Sequence, residues 1–210
     1  MPDILSIIFQ NRQKIGDDMK ISLLSRTNKN KFSIFIDKIL VVSAGVLLMT
    51  LAAKVQIPFW PVPMTLHTFA VMAFALMLGP QMSLTIFTTY LAAGAVGAPV
   101  FSGSPERGIG LAYMMGPTGG YLAGYWLAAW LTGMIGHGRG LAMHLVASFA
   151  GLALVYAAGL VWLAFFVPAA TLLTVGLLPF LGGDLVKCVL AALIASQWPS
   201  KAKRQQETEQ

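Results

Sequence analysis

Charge is scarce in this chain, and the scarcity decides its class. Asp, Glu, Lys and Arg make up 10% of the 210 residues, whereas about a quarter of the residues of a soluble domain are charged. Hydrophobic residues make up 57%, and the mean hydropathy is +0.73. This composition excludes an ordinary soluble domain and indicates an integral membrane protein. Between positions 55 and 200 the charged residues are Glu106, Arg107, Arg139, Asp184 and Lys187.

Residues that build redox, metal and catalytic sites are also scarce. The single cysteine, Cys188, excludes an internal disulfide and a cysteine metal cluster, so we expect it to be a small packing residue. The three histidines are not spaced as metal ligands on one helix, and no metal or other cofactor is expected. No other apolar segment carries a carboxylate in its interior to pair with Asp184, and neither a serine nucleophile motif nor a Walker-type phosphate loop occurs. The sequence therefore argues against an enzyme.

Basic residues are concentrated at the two ends of the chain. Because Lys and Arg accumulate on the cytoplasmic side of membrane proteins, this pattern predicts that both termini are cytoplasmic and that the number of crossings is even. Nucleic acid is not expected as a partner, because no basic stretch carries interleaved aromatic residues. Two basic loop residues, Lys54 and Arg107, do not fit the pattern. The terminal basic residues are Arg12, Lys14, Lys20, Arg26, Lys29, Lys31, Lys38, Lys201, Lys203 and Arg204.

Six apolar segments follow one another, in a chain long enough for five to seven crossings of about 20 residues each. We predict an all-α integral membrane protein with six transmembrane helices, formed by one domain at 32–198. Cytoplasmic tails are expected at 1–31 and 199–210. The predicted helices are 32–53, 66–78, 82–96, 121–135, 141–167 and about 184–198.

Three connections rich in proline and glycine, at 54–65, 97–121 and 168–183, face outward by this count. Closely spaced prolines in the first connection remove amide donors and favour extended backbone, so a loop rather than a helix is expected there. Irregular backbone at membrane depth persists only when it packs on protein or lines a cavity. The three connections therefore predict a cavity at the outward end.

Asp184 and Lys187 stand at the start of the last predicted helix, on the same outward side. Residues three apart share one face of a helix, so both charges can point into one cavity, and ionisable residues within a membrane are functional candidates by default. The adjacent Gly182 and Gly183 would let another backbone approach closely, and the helix dipole favours an aspartate in the first turn. The alternative is an N-cap aspartate with a lysine that reaches the outer interface.

For other polar and aromatic residues near the connections, the sequence gives weaker evidence of a role in the cavity. His67 is expected to be a packing histidine with satisfied hydrogen bonds, and Glu106 with Arg107 a solvated loop pair. Phe59 and Trp60 are interfacial aromatics or an aromatic wall beside the cavity, and Tyr121 is expected to face the cavity. The remaining lid or cavity candidates are Gln56, Thr65, Ser102 and Gly183.

Several ordered motifs resemble one known family. They are Gln-Ile-Pro at 56–58, Pro-Val-Pro-Met-Thr-Leu at 61–66, Leu-Gly-Pro at 78–80, Tyr-Leu-Ala-Ala-Gly-Ala-Val-Gly-Ala-Pro-Val-Phe at 90–101, Gly-Pro-Thr-Gly-Gly-Tyr-Leu at 116–122 and Gly-Asp-Leu-Val-Lys at 183–187. In this order they resemble the BioY family, the biotin-binding S components of energy-coupling factor (ECF) transporters. The resemblance covers roughly residues 35–198.

The resemblance implies a six-helix S-component fold that captures biotin from outside. It also implies assembly with a transmembrane coupling subunit and two ATPase subunits. Asp184, Lys187 and Tyr121 are then the expected biotin contacts, and the loop after the first helix is the expected lid. Ser102 stands near the place where the family pattern leads us to expect an asparagine. Which biotin group meets which residue is open at this point.

Two other functions are also open. The chain could transport biotin without an ATPase module, alone or as an oligomer. A membrane enzyme that acts on a lipid-like substrate is the second alternative, and the missing second carboxylate argues against it.

Overall fold

Eight helices and one short hairpin form the part of the chain that the computed structural model describes, residues 33–198. The hairpin pairs β1 (Gln56–Ile57) antiparallel with β2 (Met64–Thr65). The expected tails at 1–31 and 199–210 lie outside the described residues. The helices are α1 (Ser33–Lys54), α2 (His67–Leu78), α3 (Pro80–Ala95), α4 (Gly110–Met114), α5 (Gly119–Gly136), α6 (Leu141–Leu163), α7 (Ala169–Gly176) and α8 (Leu178–Gln197).

The chain divides into two compact units, residues 1–41 and residues 42–210. In the first unit, the described residues 33–41 are helical, and their large apolar side chains, including Phe35 and Leu40, are exposed. The second unit contains all of the other elements and both sides of every contact described below.

Long apolar helices dominate the structure, as the composition predicts. Ser33–Lys54 and Leu141–Leu163 are each long and apolar enough to cross a membrane, and so is the span Ala169–Gln197, which comprises α7 and α8. Large apolar side chains such as Val186, Leu190 and Ile194 of α8 are exposed. A continuous apolar exterior of this kind is suited to lipid rather than to water.

The six predicted helices correspond to α1, α2, α3, α5, α6 and α8, but the last one was placed wrongly. It begins at Leu178 rather than near Asp184, because Pro179 occupies its first turn, where the fixed φ of proline suits a helix. Residues 168–183 are likewise not a plain connection, since they contain α7 and the start of α8. The predicted loop at 97–121 contains the short helix α4.

Helix α2 lies at the centre and packs against α3, α5, α6 and α8. One apolar cluster, with Val71, Phe87 and Tyr90, fills the space towards α3 and the loop that follows it. A second cluster, with Met72 and Leu152, fills the space towards α6 and α8.

Close backbone approach joins α5 to α6. A Cβ added to Gly124 would lie 2.8 Å from Val155 Cα and 2.9 Å from the Val155 carbonyl oxygen, so only a residue without a side chain fits there. At the α2–α3 turn, Gly79 adopts a positive φ of 84°, which favours glycine. His137 Nδ1 lies 2.9 Å from the Leu76 carbonyl oxygen, so the α5–α6 turn packs beside the α2–α3 turn.

Candidate functional site

Asp184 and Lys187 form an ion pair on α8, the one pair of this kind among residues 33–198. Lys187 Nζ lies 2.9 Å from Asp184 Oδ1, and the same ammonium donates a hydrogen bond of 2.7 Å to the backbone carbonyl of Thr65. Asp184 is buried, with 6% of its surface exposed. Both side chains therefore point into the protein, and Lys187 does not extend towards the outer membrane interface.

The first-turn and N-cap interpretations of Asp184 are wrong. Because α8 begins at Leu178, Asp184 lies in its second turn, and its first turn holds no acidic residue. The helix N-terminus is not the group that stabilises this carboxylate. Instead, the second carboxylate oxygen of Asp184, Oδ2, accepts a buried hydrogen bond of 2.7 Å from the hydroxyl of Tyr156 on α6.

A cavity opens beside Asp184. Its empty volume, including the part open to solvent, is about 530 Å³. The apolar part of the wall comes from the hairpin and from α5, α6 and α8, and consists of Val62, Pro63, Met64, Leu122, Val155 and Phe180.

The polar part of the wall falls into two groups on different elements. Asp184 and Tyr156 form the first group. Ser102, Tyr113 and Thr118, from the loop after α3, from α4 and from the start of α5, form the second. Further lining residues that carry a polar atom are Thr65, His67, Tyr121 and Tyr125.

The second group is a set of hydroxyls. Thr118, Ser102 and Tyr113 line the same cavity, and the ring of Tyr113 stacks on Phe101 at a centroid distance of 4.8 Å. Burial raises the pKa of Tyr113 above its usual value, although the nearby Arg107 opposes the shift. The tyrosine is therefore a neutral donor at physiological pH.

Four of the residues singled out from the sequence meet in this cavity: Asp184, Tyr121, Thr65 and Ser102. Tyr121 faces it as expected, and its hydroxyl donates a hydrogen bond of 2.7 Å to the Gly176 carbonyl at the end of α7. Lys187 is not part of the wall itself and reaches the site through Asp184 and Thr65.

The other candidates surround the cavity rather than line it. Gln56 accepts a hydrogen bond from Ser102, and Phe59 packs edge to face on Phe180 at 5.8 Å. Trp60 is 80% exposed and forms no cavity wall. Gly183 lies against the flexible side chain of Met64 rather than against backbone.

The expected backbone approach at the glycine pair is therefore wrong. An added Cβ on Gly182 would meet nothing within 4 Å, and the one on Gly183 would meet a methionine side chain. The two glycines sit inside α8 and leave its direction unbroken.

Two basic residues that the charge pattern left unexplained fasten the loops around the cavity. Lys54 Nζ, at the end of α1, donates hydrogen bonds to the carbonyls of Phe101 at 3.1 Å and Ser104 at 2.7 Å. Arg107 donates one of 3.1 Å to the carbonyl of Phe59, and its guanidinium lies 5.9 Å from the ring centre of Trp60. The expectation of a merely solvated Glu106–Arg107 pair is wrong for Arg107.

His67 is bonded at both ring nitrogens, as expected for a packing histidine. Its Nδ1 lies 3.0 Å from the hydroxyl of Thr65, and its Nε2 lies 2.9 Å from the hydroxyl of Tyr90. The ring also lines the cavity. Its hydrogen bonds hold the hairpin and α3 to the start of α2.

Sequence reasoning missed Tyr113, Tyr156, Thr118 and Tyr125. A single tyrosine in an apolar segment forms no motif, and its direction depends on helix packing that the sequence does not reveal. Thr118 lies within the motif at 116–122 but was not singled out as a site residue. One signal was available: the chain has five tyrosines, and four of them line this cavity. A buried tyrosine needs a partner for its hydroxyl, and the one buried carboxylate was an obvious candidate.

Comparison with known proteins finds similar sequences and a similar fold. A sequence model of the BioY family matches residues 23–204. The chain is 36% identical over 156 residues to the probable biotin transporter BioY of Pyrococcus horikoshii, an alignment that covers 74% of this chain and 92% of that one. It is 38% identical over 158 residues to the biotin transporter BioY of Thermotoga maritima, with 73% and 92% covered.

The fold is also similar to a solved one, the crystal structure of the S-component for biotin from an ECF-type ABC transporter. The TM-score is 0.66, and the likeness covers 83% of this chain and 93% of that chain. Since the sequence identity is 22%, this likeness bears on the fold alone. The predicted helical membrane fold is confirmed.

Proposed function

Since the chain belongs to the BioY family, we propose that it is a membrane-embedded subunit that binds biotin in the cavity beside Asp184 and mediates its uptake. It is a multi-pass protein of the plasma membrane and a transport protein rather than an enzyme. The observation that carries the proposal is a buried carboxylate, paired at 2.9 Å with a half-buried ammonium, in the wall of a cavity that is otherwise lined mostly by apolar and hydroxyl-bearing side chains.

The ureido group of biotin matches the buried carboxylate of this ion pair. A cyclic urea carries N–H donors beside its carbonyl, and Asp184 offers an acceptor at the cavity wall. Lys187 lies behind the wall and donates to Asp184 and to the carbonyl of Thr65. We therefore assign one ureido N–H to Asp184, whose carboxylate Lys187 holds in place and whose charge it balances.

The carboxylate of biotin suits the second polar group. It would be repelled by Asp184, because like charges in a site of low dielectric constant destabilise each other. Tyr113 and Thr118 offer hydroxyl donors instead, while the Ser102 hydroxyl already donates to Gln56, and the positive charge of Arg107 acts on Tyr113. The apolar wall residues, such as Val155 and Phe180, suit the thioether ring and the aliphatic chain.

The hairpin and the loop after α3 form the lid in this proposal. Gln56 with Ser102, and Phe59 with Arg107, join the two segments, while Lys54 anchors the second segment to α1. Release of biotin then requires these contacts to break. We expect the lid to control the dissociation rate more than the association rate, since interface changes act mostly on dissociation.

Six crossings with both termini inside fit the position of this site. The lining residues come from the last part of α6, the loops after α1 and α3, and the first halves of α2, α5 and α8. In a bundle of six alternating helices these parts all lie at the same end. Lys54 and Arg107 lie on that outward side because they hold the lid, so the two exceptions to the charge pattern do not contradict the orientation.

The proposed partners are a transmembrane coupling subunit and two ATPase subunits, by analogy with the ECF-type ABC transporter whose S-component shares the fold. Uptake without an ATPase module is the competing proposal. Biotin uptake by cells that express the chain with and without a coupling subunit and its ATPases separates the two. Uptake only in the complete set supports the first, whereas equal uptake in both cells contradicts it.

Binding itself is tested on the pure protein. The chain in lipid nanodiscs should bind labelled biotin saturably, in competition with unlabelled biotin but not with lipoate, which has a carboxylate and no ureido ring. Absence of saturable binding, or equal competition by lipoate, would contradict the proposed ligand.

A further inference from the structure

The carboxylate of Asp184 is held from two sides by two different helices. Lys187 of α8 bonds Oδ1 at 2.9 Å, and Tyr156 of α6 bonds Oδ2 at 2.7 Å. Tyr156 is 7% exposed and lines the cavity together with Asp184. No motif or resemblance in the sequence pointed to this tyrosine.

We propose that Tyr156 is a positioning residue for ligand recognition: its hydroxyl fixes the plane of the Asp184 carboxylate so that this group can accept an N–H from the ligand. This role rests on the proposed function. With both oxygens bonded, the carboxylate cannot turn about its terminal torsion without losing one bond. Each carboxylate oxygen can accept about two hydrogen bonds, so acceptor capacity remains for the ligand.

Preorganisation of this kind raises affinity because the Asp184 carboxylate is already ordered in the free protein. A carboxylate held by Lys187 alone would sample several orientations, and binding would then carry the entropic cost of ordering it. A water molecule could also occupy the freed position at Oδ2 and would have to be displaced. Tyr156 removes both costs before the ligand arrives, while its ring only fills space in the wall.

The proposal assigns a function to the hydroxyl and not to the ring, so Tyr156→Phe is the informative change. The need to order one side chain on binding weakens affinity by about three- to tenfold, and we expect the dissociation constant for biotin to rise by about this factor. The melting temperature should also fall, because the bond between Tyr156 and Asp184 is already present in the free protein. The matched control is Thr132→Val, which removes a buried hydroxyl bonded to the Ala147 carbonyl, outside the cavity wall. It should change biotin affinity by less than about threefold.

A double-mutant cycle separates positioning from a general structural effect. Labelled biotin is titrated to millimolar concentration against Tyr156→Phe, Asp184→Asn and the double variant in nanodiscs. If the hydroxyl acts through the carboxylate, Tyr156→Phe has little further effect once Asp184 is replaced. Equal losses in both backgrounds, or wild-type affinity in Tyr156→Phe, would overturn the proposal. If the wild-type chain binds no biotin, the proposed function fails instead, so the two failures are distinguishable.

Discussion

Lys187 donates a hydrogen bond of 2.7 Å to the backbone carbonyl of Thr65, which lies 122 positions earlier in the chain. Lys187 belongs to α8 and Thr65 to β2, so this contact joins the helix that carries the ion pair to the hairpin that lines the cavity. A change at Asp184 can therefore reach the hairpin through Lys187. In the proposed function, this side chain couples ligand recognition to the position of the lid.

The first prediction concerns this coupling. Lys187→Met keeps the length of the side chain and removes its charge and donors. Amide hydrogen exchange in the hairpin should become about tenfold faster, because a hydrogen bond from a charged donor is lost. The control is Arg139→Gln, since Arg139 is exposed in the α5–α6 turn. Unchanged exchange in residues 56–65 of Lys187→Met would mean that the contact does not hold the hairpin.

The second prediction concerns the fastening of the lid. Arg107→Gln removes the hydrogen bond to the Phe59 carbonyl and the contact with Trp60. Together the two contacts contribute about 1–2 kcal/mol at a partly exposed site, so biotin should dissociate about five- to thirtyfold faster without them. Stopped-flow displacement measures this rate. Glu106→Gln, the exposed neighbour, is the matched control and should leave the rate unchanged, and a similar effect of both variants would refute the lid role of Arg107.

The third prediction concerns the α5–α6 contact behind the cavity. Gly124→Ala brings a methyl group to within 2.8 Å of the Val155 backbone, so the helices must separate, at a cost of about 1–3 kcal/mol. The melting temperature should fall, and biotin affinity with it. Gly182→Ala adds the same methyl group in open space within α8 and should be neutral or stabilising by up to about 1 kcal/mol. Equal melting temperatures of the two variants would show that the close approach of α5 and α6 does not require glycine at position 124.

The fourth prediction tests the assignment of the biotin carboxylate. Tyr113→Phe removes a neutral hydroxyl donor from the second polar group, so affinity for biotin should fall about tenfold or more. Biotin amide carries no negative charge, and its affinity should change much less. Equal losses for both ligands in isothermal titration would place the carboxylate elsewhere.

The sequence was sufficient to find Asp184 and Lys187, because two charges in an apolar segment are costly and stand out. It also predicted six of the helices, since long apolar runs bounded by proline and glycine are strong signals. The start of α8 was misplaced because Pro179 and Gly182–Gly183 were interpreted as loop residues. Proline in a first turn and glycine inside a buried helix are both compatible with a helix, and only the packed structure distinguishes these cases.

The residues that contact the ion pair could not be predicted from the sequence. Tyr156 meets Asp184, and Thr65 meets Lys187, only because α6, α8 and the hairpin pack together. Lys54 and Arg107 appeared as exceptions to the charge pattern because their role is to bind loop carbonyls, a contact between segments about 50 positions apart. Such contacts leave no periodic signal.

Biotin binding by wild type, Asp184→Asn and Lys187→Ala, measured by titration of the purified chain in nanodiscs, tests the central claim most directly. The wild type should bind saturably, and each variant should lose at least about tenfold in affinity, since each removes a hydrogen bond to a charged group. Melting temperatures should show that the variants remain folded. Wild-type affinity in both variants would contradict the account.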